Sequence, residues 1–261
     1  MAQSMLSKGF MNAGLYQAAA AMKVTTRWQE VIAENLSSSF IPGFKKQNIS
    51  FNAVQAGLMA PTSTSITGGS RYFSLPSDSV TTDFQAGELR PTGVPTDLAI
   101  EGRGFFEVQL PNGAKAYTRD GEFHPNAQGQ LVTKQGYPVQ GSTGPLQLDA
   151  THASPVTVSA RGEVTQGANL RGTLKVVDFN DYKLLESAGG GFFQANNPTL
   201  KPTLAANPSV HQGYLEAANT TTVSEMANLL NSMHLFEANQ KVIQAQDERL
   251  GRLIADVGNP S

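Results

Sequence analysis

A seven-residue repeat runs through the last 40 residues of the chain and limits its architecture more than any other feature. With Met226 at position a, the a and d positions read Met226, Leu229, Met233, Phe236, Gln240, Ile243, Asp247, Leu250, Ile254 and Val257, eight of the ten apolar. That spacing predicts a helix with a coiled-coil seam. Glu237, Lys241, Glu248, Arg249 and Arg252 fall on the remaining faces, as on a solvated surface. Thr222 and Glu225 have capping-box spacing at the start, and Gly258, Asn259 and Pro260 stop the helix. From Val223 to Val257 it would be about 50 Å long.

The other end carries a weaker copy. Leu15, Ala18, Met22, Thr25, Gln29, Ile32 and Leu36 keep the same spacing, with Val24, Trp28 and Val31 alongside, and Pro42-Gly43 ends the segment. Gly9 and Gly14 each cost roughly 1 kcal/mol against Ala inside a helix, so the first turns are expected to fray. Two amphipathic helices at opposite ends can bury their stripes only against each other or against neighbouring chains.

The middle follows other rules. Residues 57–82 are rich in Ser, Thr, Gly and Pro and read as an extended or mobile connector. From Leu98 onward apolar residues alternate with period two, through Ile100, Phe106, Val108 and Leu110. Asn112-Gly113 and Asp120-Gly121 read as hairpin-type turns. Short strands are expected at 131–133, 137–140, 146–148, 156–158, 172–179 and 191–195. The fold class expected is therefore α+β: terminal helices pairing as a coiled coil, and a central all-β domain of sandwich or barrel type. The domains fall at 1–45 with 215–261 (helical), 46–85 (connector) and 86–214 (β-rich).

Candidate chemistry is sparse. His124, His152, His211 and His234 have no metal-ligand spacing, and there is no HExxH. Gly102-Arg-Gly104 lacks the third glycine and the following helix of a dinucleotide loop, so a tight turn or close backbone approach is the better reading. Gly141-Ser-Thr-Gly144 has the wrong spacing for a nucleophile elbow. Asp178 and Asp181 read as acidic residues at a strand-end turn. No catalytic, cofactor or metal site is expected. With no cysteine, the chain has no disulfide or thiolate site, and its net charge of −2 provides no basic face for nucleic acid. No run approaches the ~20 apolar residues that span a bilayer, and Gly9–Met22 makes a poor signal-peptide core.

Four separated segments resemble flagellar rod and hook proteins. They are Ala33-Glu-Asn35-Leu36 leading to Pro42-Gly43-Phe44-Lys45; Asp97-Leu-Ala-Ile-Glu-Gly102-Arg-Gly104-Phe105-Phe106; Tyr117-Thr-Arg-Asp-Gly121-Glu-Phe123, followed by Gly136-Tyr-Pro-Val139; and Gly213-Tyr-Leu-Glu216-Ala-Ala-Asn219 ahead of Glu237-Ala-Asn-Gln-Lys241. Length points to one of the two larger rod subunits, the bridging proximal/distal or the distal-rod type. Ser38 and Ile41 depart from the usual signature.

The resemblance implies a non-enzymatic, self-assembling subunit of the basal-body rod, a helical tube that transmits torque from motor to hook. It implies export by the flagellar type III apparatus without a cleaved signal peptide. The partners implied are the chain itself, other rod and hook subunits, the export apparatus and the rings around the rod, with no nucleic acid and no membrane insertion. The expected assembly seam is Leu15, Met22, Ile32, Leu36, Met226, Leu229, Met233, Phe236, Ile243 and Leu250. Asn35, Gly43, Phe44, Gly102, Gly104, Phe105 and Phe106 are the family-motif positions. A different reading, a secreted glycan-binding β module on a helical stalk, would use exposed aromatics around Tyr72, Phe73 and Phe84.

Overall fold

The computed structural model describes residues 2–58, 72–149 and 154–258, with side-chain surroundings for 17–52, 77–149 and 154–252. The class is α+β: one long helix at each end of the chain and a β-rich region between them. Helix α1 spans Ala2–Ser38 and α2 spans Thr222–Gly258, 37 residues each. At ~1.5 Å per residue, each is about 55 Å long. The chain divides into two compact units. One comprises Met1–Leu36, Gln47–Thr81 and Thr222–Ser261; the other comprises Ser37–Lys46 and Thr82–Thr221.

In the helical unit, strand β1 (Gln47–Leu58) hydrogen-bonds to strand β2 (Tyr72–Thr82) in a two-stranded sheet. These strands occupy much of the stretch read from sequence as connector, and residues 59–71 lie outside the described residues. The reason is local: Ile49, Phe51 and Val54 supply the β-branched and aromatic residues that a pleated surface favours. The chain reverses after α1, so β1 runs back along the helix. Trp28 meets Phe51 edge to face at 5.7 Å, and one heptad later the Asn35 carboxamide pairs with both backbone polar groups of Gln47, at 2.8 and 2.9 Å. The covered face of α1 includes Ala18, Val24, Thr25, Val31, Ile32 and Asn35.

The β-rich unit is built on a six-stranded sheet. Its spatial order is Glu186–Gly189, Phe192–Gln194, Lys115–Thr118, Phe105–Gln109, Val176–Asp178 and Thr203–Leu204. Successive residues of a strand point to opposite faces, and here both faces are covered. Phe106, Val108, Ala116, Val176 and Phe192 join Leu98, Ile100, Phe123, Leu131, Val139, Leu146, Val164, Leu174 and Val210 in one core. Phe105, Tyr117, Val177 and Phe193 form the other with Phe179, Leu185, Leu200, Phe84 and Tyr182. Phe105 alone contacts four aromatic rings at centroid distances of 5.3 to 6.1 Å. Each fully buried phenylalanine contributes about 1.5–3 kcal/mol of transfer free energy.

Two sequence expectations change. The run 172–179 is two strands, Asn169–Thr173 and Val176–Asp178, in different sheets, with Leu174 and Lys175 turning between them. Asp120-Gly121 is no hairpin: the strands on either side, Lys115–Thr118 and Phe123–Pro125, belong to different sheets. A glycine is needed there because the chain passes against the Leu98 backbone, where a Cβ would lie 1.6 Å from the Leu98 carbonyl oxygen. Asn112-Gly113 does close the turn between Phe105–Gln109 and Lys115–Thr118.

Asp120 is buried beside that passage. Burial pushes its carboxyl up to about 6; the charges of Glu122 and Asp97 add to the shift, while the Glu122 N–H and Lys134 oppose it. A raised acid is favoured protonated, so the associated stability is complete below the unfolded value of ~3.9 and is lost as pH rises through 6. The order of the loss by pH 7 is about 2–3 kcal/mol. Asp120→Asn keeps the acceptor for the Glu122 N–H. It is expected to raise the thermal midpoint at about pH 7.5 and to flatten its dependence between about pH 4 and 6.5. Calorimetry across that range checks this; an unchanged slope would refute the assignment.

Candidate functional site

Parts of the family-motif segments, 171 residues apart in Lys45 and Glu216, converge on one buried carboxylate. Glu216, 1% exposed, lies in the strand Tyr214–Glu216. One of its oxygens accepts from the Lys45 ammonium and from the Gly87 N–H at 2.8 Å; the other accepts from the Arg119 guanidinium at 3.2 Å. Lys45 also donates to the Gln85 carbonyl at 2.8 Å. Arg119 donates to the Ile100 carbonyl at 2.9 Å and to the Gly102 carbonyl, and its guanidinium lies 5.3 Å from the Phe105 ring centre. Both cations are buried, and desolvation holds the Lys45 and Arg119 pKa values below their usual ones, against the pull of Glu216.

The glycine of the first motif follows from this geometry. Gly43 adopts φ +65° and donates its N–H to the Glu216 carbonyl at 2.6 Å; a Cβ would lie 2.4 Å from the Arg119 carbonyl group. Phe44, next to it, is buried. Gly102 presents its carbonyl to Arg119, whereas Gly104, at φ +125°, lies where a Cβ would press 2.8 Å from Val176. Phe105 and Phe106 go to opposite faces of the sheet.

Asn219 secures a second junction. Its oxygen accepts from the Lys46 N–H at 2.7 Å, and its amide donates to the Asp83 carbonyl at 2.8 Å. Residues 46, 83 and 219 lie within two positions of three places where the chain passes between the units. One side chain thus holds three chain crossings together within the β-rich unit. Sequence reasoning included Asn219 in a motif without assigning it a site; only long-range pairing reveals the role.

The assembly-seam candidates separate into groups. On α1, Ile32 is buried and Met22 and Leu36 are half-buried, while the side chain of Leu15 lies outside the described residues. On α2, Leu229, Phe236, Ile243 and Leu250 are half-buried. Met226 and Met233 are 55% and 46% exposed. With Val223 and Leu230, also exposed, they form a stripe at spacings of three, four and three residues. The line covered by the chain itself runs one position toward the other side: Glu225, Leu229, Ser232, Phe236, Asn239, Ile243, Gln246 and Leu250.

Groups that could suggest chemistry have local partners. Asp178 accepts from Tyr182 at 2.6 Å and from Arg103 at 3.2 Å, and Asp181 caps the short 3-10 turn Tyr182–Leu184. His211 meets Glu101 across paired strands at 2.8 Å. Among the described residues no group of three His, Asp or Glu side chains could hold a metal ion. Also among them, no helix is long and apolar enough to cross a membrane. Phe84 packs at 5.2 Å from Phe193 inside the aromatic core, and the side chains of Tyr72 and Phe73 lie outside the described residues.

Comparison with known proteins identifies relatives of the chain. Residues 99–166 match the family described as flagellar hook protein FlgE/F/G D1 domain, and residues 211–256 match flagellar basal body rod FlgEFG protein C-terminal. The chain is 31% identical over 250 residues to the flagellar basal-body rod protein FlgF of Caulobacter vibrioides, covering 93% of this chain and 100% of the relative. It is 32% identical to the FlgF of Escherichia coli, covering 93% and 97%, and 32% identical to the FlgG of Buchnera aphidicola, covering 85% and 91%.

The carboxylate at the centre of the network has a measurable role. Glu216→Gln leaves two buried cations without a counter-charge and is expected to destabilise the β-rich unit by about 3–5 kcal/mol. The near-ultraviolet dichroism of its aromatic core, followed through urea unfolding, reads this directly. A change below about 0.5 kcal/mol would show that the network does not hold the unit together.

Proposed function

Because the chain belongs to the flagellar basal-body rod protein family, we propose that it is a structural, self-assembling subunit of the rod, of the bridging or distal type. Similarity to both FlgF and FlgG proteins, over 93% and 85% of this chain, supports either position. In this reading the terminal helices pair as a coiled coil, form the inner layer of a helical tube and join neighbouring rod and hook subunits. The β-rich unit, a sandwich-like module, lies outside them and faces the surrounding rings. The tube passes torque from motor to hook. The subunit reaches the basal body through the flagellar export apparatus, without a cleaved signal peptide.

The observation that carries assembly is the stripe Val223, Met226, Leu230 and Met233, apolar at helical spacing yet exposed in the single chain. A head-to-tail contact that does not close on itself gives an open filament, and such a contact needs a face the monomer leaves uncovered. Burying this stripe between copies supplies apolar transfer free energy at roughly 25 cal/mol per Å².

Deleting the gene and imaging basal bodies tests the role: a rod truncated at one level is expected, restored by the wild-type chain, and complete rods without the protein would overturn it. Met226→Asp combined with Met233→Asp tests the stripe. These sites are exposed, so folding is expected to change by less than about 0.5 kcal/mol per substitution. Incorporation into basal bodies is expected to be lost; rods of normal length and subunit content from this variant would exclude the stripe as an assembly face.

A further inference from the structure

Asn112-Gly113 is the chain's single Asn-Gly sequence, and it lies at the exposed tip of the hairpin between Phe105–Gln109 and Lys115–Thr118. The Leu110 N–H donates to the Ala114 carbonyl at 2.8 Å, and the Gly113 N–H donates to the Leu110 carbonyl at 2.9 Å. Gly113 takes φ +80°, the left-handed conformation that closes a three-residue hairpin loop. A Cβ built on it would meet nothing within 4 Å, so the space beside its backbone is open. The Asn112 side-chain oxygen accepts from the Ala114 N–H at 3.0 Å, which folds the carboxamide back over residue 113. An amide carbon and the backbone nitrogen of the next residue thus meet in water, with no side chain on that residue to obstruct them.

We propose that Asn112 is a site of spontaneous modification, at which the hairpin tip converts an amide into a carboxylate. The Gly113 nitrogen attacks Cγ of Asn112. The new N–Cγ bond forms, the Cγ–Nδ2 bond breaks, and ammonia leaves with the proton of the Gly113 N–H. Water then opens the cyclic imide at either carbonyl, its hydroxyl going to the carbon and its proton to the nitrogen. One product is aspartate. The other is isoaspartate, in which the main chain runs through Cγ and is longer by the Cβ methylene. Either acid adds a negative charge to a chain whose net charge is already −2.

The same turn restrains the reaction. The attacking nitrogen is tied to the Leu110 carbonyl, so the rate follows the fraction of time that this loop is open, not unfolding of the whole unit. Pro111, with its fixed φ, limits that opening. The product acts beyond the tip. Lys115 pairs with Gln109 on the last rung of the hairpin, and its ammonium lies 3.5 Å from the buried Glu107 carboxylate. The other Glu107 oxygen is buried with no hydrogen-bond partner. A new carboxylate three positions from Lys115 competes for that ammonium, which carries a surface change to a buried charge. None of this depends on the reading of the chain as a rod subunit.

Incubating the full chain in mildly alkaline buffer, folded and in urea, tests the site, with peptide mass mapping of amide-to-acid conversion at every asparagine. In the folded chain conversion is expected first at Asn112, at least about tenfold slower than in urea, as for a reaction through an opened state. Asn112→Gln is expected to abolish it. Pro111→Ala is expected to speed it about two- to fivefold in the folded chain, without the same gain in urea. Another asparagine converting as fast in the folded chain would overturn the site, as would an Asn112 that stays intact there however long the incubation. Equal rates folded and in urea, or no acceleration in the Pro111→Ala variant, would overturn the control by the turn.

Discussion

A single carboxylate, Glu216, placed out of water between Lys45 and Arg119, is the interaction on which the β-rich unit depends. Removing three charges from solvent is strongly unfavourable unless each finds its partner. The segments that carry them are therefore constrained together: the turn after α1, the end of the strand Lys115–Thr118 and the last strand before α2. A hydrophobic trio of equal volume could match or exceed the stability, but it would tolerate displacements that an ion pair with filled backbone contacts does not. Motifs scattered along the chain are thus parts of one junction. The separate hold of Asn219 on residues 46 and 83 extends it.

The double coverage of the six-stranded sheet explains why the middle of the molecule was only partly readable. A strand with one wet face shows its alternation; in Phe105–Gln109 the period of two through Phe106 and Val108 marks the strand, but not that Phe105 and Glu107 on its other side are buried as well. Ser209–Gln212 and Glu163–Gln166 were not anticipated, since four mostly polar residues carry little periodicity. Asp120-Gly121 has hairpin composition, yet its glycine answers to the Leu98 backbone, a neighbour more than 20 positions away. Turn chemistry records that a chain bends, not which sheet it enters next.

The ends were legible as helices because a period sustained through many turns leaves few alternatives. What hydropathy could not supply was the rotation of α2. Counting apolar residues favours Met226 and Met233 with the leucine line, while the chain covers Ser232 and Glu225 beside that line instead. Burial follows what packs against a helix, and a functional seam can bury polar groups that a scale assigns to the surface. The same helix therefore carries a half-polar face turned to its own chain and a wholly apolar stripe left open over three turns.

The pairing of Asn35 with Gln47 has a consequence beyond fastening α1 to β1. A side-chain carboxamide that both accepts and donates reproduces the hydrogen-bonding outline of a peptide unit, so Asn35 acts as a strand one residue long. It occupies the first rung of β1, where an isolated two-stranded ribbon would otherwise present an unpaired N–H and C=O. A single asparagine in the final turn of a helix thus completes the hydrogen bonding of the first residue of a strand.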